Sequence, residues 1–412
     1  MQNNIKRDYF WNTLGVFAQS AISPLLLIII TRINGIGASG YFSFAFSLAI
    51  VFWAFGMWGG RTYQVSDTGS EFAQRSYIAV RLLLAVAMIV FAAIFSLLNQ
   101  YDPAKVYIIL TLVTLKAIES VADSIYGILQ IHNRLFIAGK SLICKAVLGL
   151  GMFIIVDCLT NNILLASVSI LIINIVGVLI YDFPMAKKVE NIDFKWKSSG
   201  SRYFKDAFII MRRCIAVFAI TLLAAFPLNI PRYFIDLYHG GDIGYFGILA
   251  MPITLIVLLM SFIMQPNIVE LSVFYSEHRY KEFCSIIMKI IMVTGLISLV
   301  TILVAYIIGV PLLNIVFGVN FNNYKDVLIV MLIGGTANAF VSIFMNILTI
   351  MRHFKTQIYI LFLSNVGLLI LSAFIIKQYG LISGAWLFMI SSVVQAISLF
   401  CIYKKYLKKV LL

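Results

Sequence analysis

The sequence predicts an all-α protein that crosses a membrane about a dozen times. Hydrophobic residues make up 62% of the 412 and charged residues only 12%, the mean hydropathy is +0.99, and the apolar residues gather into long runs. A typical soluble domain is about 25% charged. A soluble chain of this length has too much surface to hide so much apolar area, so lipid must be its solvent. A spanning helix needs about 20 apolar residues. The runs that qualify are 13–31, 41–60, 78–98, 106–129, 141–157, 163–182, 214–235, 245–264, 285–308, 327–350, 358–376 and 381–403. Lys6 and Arg7 precede the first run, but no small-x-small cleavage site follows it, so it reads as an uncleaved first helix.

Charge sets the orientation. A net charge of +14 would suggest nucleic acid in a soluble protein. In a membrane protein, Lys and Arg collect on the cytoplasmic side. With the N-terminus in the cytoplasm, and helix-end residues such as Arg81 and Lys145 counted with their loops, 25 of the 31 basic residues fall on that side. Five fall outside, namely Arg32, Lys105, Arg232, Lys325 and Lys377, and Lys116 alone lies mid-span. Both termini are then cytoplasmic, and the charge is a topology determinant with some attraction to anionic membrane lipids. It calls for no nucleic-acid partner. The outer loops are short, the longest being about 309–326, which leaves no room for an outer domain.

The longest loop, Phe183–Arg213, is cytoplasmic. It carries Lys187, Lys188, Lys195, Lys197, Arg202, Lys205, Arg212 and Arg213, interleaved with Phe194, Trp196, Tyr203 and Phe204. It reads as an interfacial linker between two halves, a role compatible with binding lipid headgroups. The expected organisation is a six-helix bundle over 1–185, a basic linker over 186–213 and a second six-helix bundle over 214–412.

The halves echo each other. Gly40-Tyr41-Phe42 opens the second span and Gly244-Tyr245-Phe246 the eighth; Pro24 and Pro227 precede them at similar distances. Tyr126 and Phe344 each stand eight residues before an Arg. Spans two and eight each lead into a polar segment that reads as a short surface helix, over Gly69–Tyr77 and Tyr275–Phe283. Six spans per half give both bundles the same orientation. They should be related by a pseudo-twofold axis along the membrane normal, with a substrate path between them near the midplane. Pro24, Pro227, Pro231, Pro252 and Pro266 are hinge or packing positions, and Pro227 with Pro231 should interrupt span seven.

Ionisable groups inside a span are costly, so each is a functional hypothesis. Span four holds Lys116, Glu119, Asp123, Tyr126 and Gln130 at steps of 3, 4, 3 and 4, which puts all five on one helix face. Either the charges neutralise one another between helices, or they form a polar wall of a translocation cavity. Three ionisable groups leave one carboxylate unpaired, which favours the cavity and makes Glu119 and Asp123 coupling-ion candidates. Span ten carries Asn338, Ser342 and Asn346, either as cavity groups or as polar glue between helices. Arg32 and Arg232 are snorkelling residues or an anion site at the outer mouth, with Asp236 as a partner. Arg61 is a weaker candidate at the inner mouth. The cysteines, Cys144, Cys158, Cys214, Cys284 and Cys401, show no paired spacing, and the four histidines stand isolated. No metal site, catalytic triad or cofactor is called for.

The stretch Arg32-Ile33-Asn34-Gly35-Ile36-Gly37-Ala38-Ser39-Gly40-Tyr41-Phe42, the span ending Gly59-Gly60-Arg61, and the echo Arg232-Tyr233-Phe234-Ile235-Asp236 with Gly244-Tyr245-Phe246 carry a resemblance. The chain resembles the multidrug/oligosaccharidyl-lipid/polysaccharide exporter (MOP) superfamily, and within it the O-antigen, Wzx-type repeat-unit flippases of the bacterial inner membrane. The resemblance spans the whole chain through its length, its twelve spans and its six-plus-six repeat. It implies a MATE-like fold and an undecaprenyl-pyrophosphate oligosaccharide as cargo. It further implies a cationic central cavity, H+ or Na+ as coupling ion, and a polysaccharide polymerase and chain-length regulator as partners. It implies no enzyme activity. Rival readings are a cation-coupled small-molecule antiporter of the same fold and a membrane-embedded polysaccharide polymerase. Arg32, Lys116 and Arg232 speak against the first, and the short outer loops against the second.

Overall fold

Backbone groups in hydrocarbon have no water to bond, so each spanning segment must satisfy them internally, as a helix does. In the computed structural model, which describes residues 2–67, 71–190 and 196–411, the described residues form helices joined by short turns, with no strand among them. The helices are α1 (Gln2–Gly56), α2 (Arg61–Ser66), α3 (Gln74–Leu98), α4 (Pro103–Ile131), α5 (Leu135–Thr160), α6 (Ile163–Gly177), α7 (Phe183–Lys187), α8 (Trp196–Tyr238), α9 (Ile243–Leu249), α10 (Met251–Ser276), α11 (Tyr280–Val304), α12 (Val310–Phe317), α13 (Lys325–Ile350) and α14 (Phe354–Leu411). A π-helical turn, Val178–Asp182, joins α6 to α7, and another, Ala305–Gly309, joins α11 to α12.

Nine candidate spans are long and apolar enough to cross a membrane among the described residues. α4 is a tenth by length, made less apolar by Lys116, Glu119 and Asp123. α1 and α14 each hold two of the predicted spans, so all twelve are present. The connections expected around 32–40 and 377–380 are not loops. Each reversal occurs at one glycine inside a helix, Gly35 (φ 83°, ψ 177°) and Gly380 (φ 61°, ψ −147°). These backbone conformations exclude a side chain, which is why glycine stands there.

The chain divides into two compact units, Met1–Leu222 and Leu223–Leu412. In the first, α1 and α5 cross backbone to backbone. A Cβ on Gly139 would fall on the Trp11 carbonyl, and one on Gly15 would lie 2.6 Å from the Gly139 oxygen. Small residues permit such close helix contact where no hydrophobic force drives association. The early part of α8 belongs to this unit. Trp58 Nε1 donates to the Met211 carbonyl at 2.8 Å, and Ser76 Oγ donates to Asp206 at 2.8 Å. Arg213 forms a two-pronged pair with Glu71 at 2.6 and 2.8 Å. That guanidinium holds the Glu71 carboxyl below its ordinary range.

Among the described residues neither expected surface helix is formed. Between α2 and α3 the Asp67 carboxylate accepts the amides of Glu71 and Phe72 at 3.1 and 3.2 Å and the Tyr77 hydroxyl at 2.9 Å, and α3 starts only at Gln74. Gly69 lies outside the described residues, as do Phe194 and Lys195 of the basic linker. α10 runs on to Ser276 and α11 begins at Tyr280, with His278 at φ 60° closing the turn.

In the second unit the structure corrects the expectation for span seven. α8 runs unbroken through Pro227 and Pro231. Pro227 has no N–H for the Leu223 carbonyl four residues earlier, and Asn365 Nδ2 donates to that carbonyl instead, at 2.8 Å. The loop expected at 309–326 is largely helical, because α12 continues span nine.

Gly139→Ala should lower stability by about 1–3 kcal/mol through overpacking, read as a fall in the thermal unfolding temperature in micelles. Gly151→Ala, where a Cβ would meet nothing within 4 Å, should leave it unchanged.

Candidate functional site

α4 is where charge enters the hydrocarbon. Its polar positions fall in a sector of about 80° around the helix, and three sets of neighbours divide that sector between them. Lys116 Nζ bonds the Glu119 carboxylate at 2.7 Å, and its charge lies 5.1 Å from the Phe46 ring and 6.0 Å from Trp53. Both side chains line a small cavity of about 30 Å³, with Gln19, Ser23, Lys145 and Asn174.

Asp123 does not line that cavity. It sits between Arg61 Nε at 3.7 Å and Arg81 Nη2 at 3.4 Å. Arg81 is almost fully buried and also donates to the Gly56 carbonyl. Two cations on one carboxylate leave a local surplus of one positive charge. Tyr126 turns to α5 and the α6–α7 junction. Its hydroxyl donates to Asp182 Oδ2 at 3.1 Å and accepts from Lys145 Nζ at 2.6 Å; Lys145 also bonds Asp182 at 2.7 Å. Asp182 is completely buried, and its Oδ1 has no partner.

The π-helical turn Val178–Asp182 delivers Asp182 to this place, and such turns recur at functional sites. Gly177 makes room for the lysine stem, since a Cβ there would lie 2.6 Å from Lys145 Cδ. The sequence reading missed this pair. Lys145 lies near the start of the fifth predicted span, 141–157, and Asp182 ends the sixth, 163–182. The available signal was one opposite charge at the same end of two consecutive antiparallel spans. A second missed pair lies at the other end of α5, where Asn34 Nδ2, beside the Gly35 kink, donates to both oxygens of the buried Asp157 at 2.8 and 2.7 Å.

The remaining candidates are not among the residues that line this cavity. Arg32 is an exposed residue of α1 three positions before Gly35. In the second unit Arg232 is buried within α8, its guanidinium 5.7 Å from the Phe246 ring, and its Nε has no hydrogen-bond partner. Asp236 follows one turn along the same helix. Two side chains of the α13 stripe bond along their own helix: Ser342 Oγ donates to the Asn338 backbone carbonyl at 3.1 Å, and Asn346 Nδ2 to the Ser342 carbonyl at 2.8 Å. Among the described residues no group of three or more His, Cys, Asp or Glu side chains is placed to hold a metal ion.

These features define the class: a multi-pass, all-helical membrane protein whose first lobe holds a small cavity with Lys116, Glu119 and Lys145 in its lining. No family model matches the chain. The chain is 24% identical over 387 residues to the capsular polysaccharide biosynthesis protein CapF of Staphylococcus aureus, covering 92% of this chain and 94% of that one. A MATE-family multidrug resistance transporter of the MOP superfamily, solved facing inward, superposes with a TM-score of 0.68 at 15% identity, over 97% of this chain and 95% of that one. The lipid II flippase MurJ in an inward closed conformation also gives 0.68 at 15% identity, over 100% and 90%. The fold is MATE-like, that of the MOP superfamily the sequence resembles.

Removing one partner of the buried Lys145–Asp182 pair should cost about 3–5 kcal/mol, because the other charge is left uncompensated. Thermal unfolding in micelles should therefore show Lys145→Met combined with Asp182→Leu to be less harmful than the sum of the two single changes.

Proposed function

We propose that the protein moves a lipid-linked, pyrophosphate-bearing oligosaccharide, a polysaccharide repeat unit, across the bacterial inner membrane by alternating access. In this reading the bundles 1–185 and 214–412 rock about the basic linker 186–213, with both termini in the cytoplasm. The observation that carries it is Arg232, a buried guanidinium in a spanning helix with an N–H that meets no acceptor. A buried donor left open is costly, and a phosphoryl oxygen is the partner that fits it, charge-assisted and planar. The surplus cation at Arg61, Arg81 and Asp123 supports the same chemistry. The capsular-polysaccharide role in the name of the S. aureus relative and the lipid II flippase among the fold's neighbours point to this cargo class.

The lipid tail stays in the bilayer, while the diphosphate and sugars cannot cross hydrocarbon unaided. Arg32, Arg61, Lys116 and Arg232, with the amides Asn338 and Asn346, replace water along the path. An inside-negative potential favours outward passage of the anion by about 2.3 kcal/mol per charge per 100 mV. Glu119, Asp123 and Asp236 are the groups through which H+ or Na+ would be coupled. A polymerase and a chain-length regulator are the partners that would take the cargo onward.

A second reading, a cation-coupled small-molecule antiporter, is favoured by Glu119 in the cavity and by the multidrug transporter of the same fold. Proteoliposomes separate the two. Protein-dependent appearance of a pyrophosphate-linked oligosaccharide on the far leaflet, read with an enzyme added outside, supports the flippase. No transfer, together with proton-driven uptake of a cationic dye, supports the antiporter. Arg32→Ala, Lys116→Ala and Arg232→Ala should each slow flipping about tenfold or more, the loss expected when a charged hydrogen bond worth about 1.5–3 kcal/mol is removed, with normal membrane insertion. Full rates in all three would return these residues to structural roles.

A further inference from the structure

Where α1 and α5 enter the apolar region side by side, two exposed cations stand over aromatic rings. The Arg7 guanidinium lies 3.9 Å from the Phe136 ring centre. Lys140 Nζ lies 5.1 Å from the Trp11 ring and 5.7 Å from Phe136. Such cation–π contacts hold long side chains in place without neutralising them. Neither residue forms an ion pair among the described residues. The nearby acids are engaged elsewhere: Asp8 accepts the Leu135 and Phe136 amides at 3.2 and 3.3 Å, capping α5 from 127 positions away, and Glu190 faces His132 at 3.2 Å.

Below the cations the flank is apolar and exposed. On α1, Arg7 shares a helix face with Phe10 (61% exposed), Leu14 (41%) and Phe17 (51%). On α5, Lys140 shares a face with Cys144, Val147 (62% exposed) and Leu148 (51%). Two unneutralised cations therefore crown a continuous greasy strip made of two adjacent helices. The shape and charge match one molecule with a phosphate head and hydrocarbon tails. A soluble anion would have no use for the strip.

We propose that Arg7, Lys140 and Trp11 form a binding site for the headgroup of one anionic phospholipid, whose acyl chains lie along the Leu14–Phe17 and Val147–Leu148 flank. Asp8 is its positioning residue: by capping α5 it fixes Arg7 over Phe136. The site lies on an exposed flank of the first lobe and does not involve the cavity residues. It stands whichever cargo the protein moves.

The test is lipid binding by the purified full chain in micelles, titrated with phosphatidylglycerol or with phosphatidylcholine of the same chains. Bound lipid is counted by native mass spectrometry, and the thermal unfolding temperature is followed in parallel. The wild type should hold one phosphatidylglycerol per chain in clear preference to phosphatidylcholine and be stabilised by it. Each basic residue near a headgroup contributes about fivefold in affinity. Lys140→Ala, an exposed change that spares the fold, should weaken phosphatidylglycerol binding by about that factor, and Arg7→Ala with Lys140→Ala by about 25-fold. Lys355→Ala with Lys405→Ala, an equal loss of exposed charge in the second unit, should leave it unchanged. Equal binding of the two lipids by the wild type, unaltered binding by the double variant, or an equal loss in the control pair would each overturn the proposal.

Discussion

The first lobe depends on answering the charges of α4. A helix that carries Lys116, Glu119 and Asp123 through hydrocarbon is tolerable only if each charge meets a partner, because an isolated ion there costs several kcal/mol. The answers come from different sides. Lys116 and Glu119 answer each other beside the cavity; Arg61 and Arg81 bring α2 and α3 to Asp123; Tyr126 ties α4 to the Lys145–Asp182 pair on α5 and the α6–α7 junction. The polar face thus fixes where its neighbours pack. Close glycine contacts, Gly15 on Gly139 and Gly177 on Lys145, let those neighbours approach.

The second lobe meets the same solvent differently. Its tenth span carries amides and hydroxyls where the fourth carries ions, and the Ser342 and Asn346 side chains bond along their own helix. Its difficulty lies in the backbone, where Pro227 leaves the Leu223 carbonyl short of a donor and Asn365 supplies one. The repeat is still visible in the packing: Phe42 and Phe246 are each fully buried, and so nearly are Tyr126 and Phe344. Shape is repeated between the lobes, and charge is not. Among the described residues Arg232 is the buried charged side chain of the second lobe, and its Nε has no hydrogen-bond partner.

Low identity with the same fold, 15% to a solved multidrug resistance transporter and to a flippase, follows from the solvent. Most lipid-facing positions need only be apolar, so they drift freely. The few groups that cannot drift without cost are the ions and open donors inside the lobes.

The sequence by itself determined the class. Apolar runs of spanning length, their number and the one-sided basic charge required a multi-pass helical protein, because hydrophobic length and charge are one-dimensional properties. Periodicity also placed Lys116, Glu119, Asp123 and Tyr126 on a common face, as helix geometry demands. Partners were another matter. That Asp123 would sit between Arg61 and Arg81, that Lys145 would reach Asp182 through a π-helical turn, and that Asp8 would cap a helix 127 residues away were decided by tertiary structure alone. So was the replacement of two expected loops by single glycine kinks at Gly35 and Gly380. Periodicity fixes the direction in which a side chain points. Which helix stands there depends on packing and turn geometry, which a pattern along one chain does not encode.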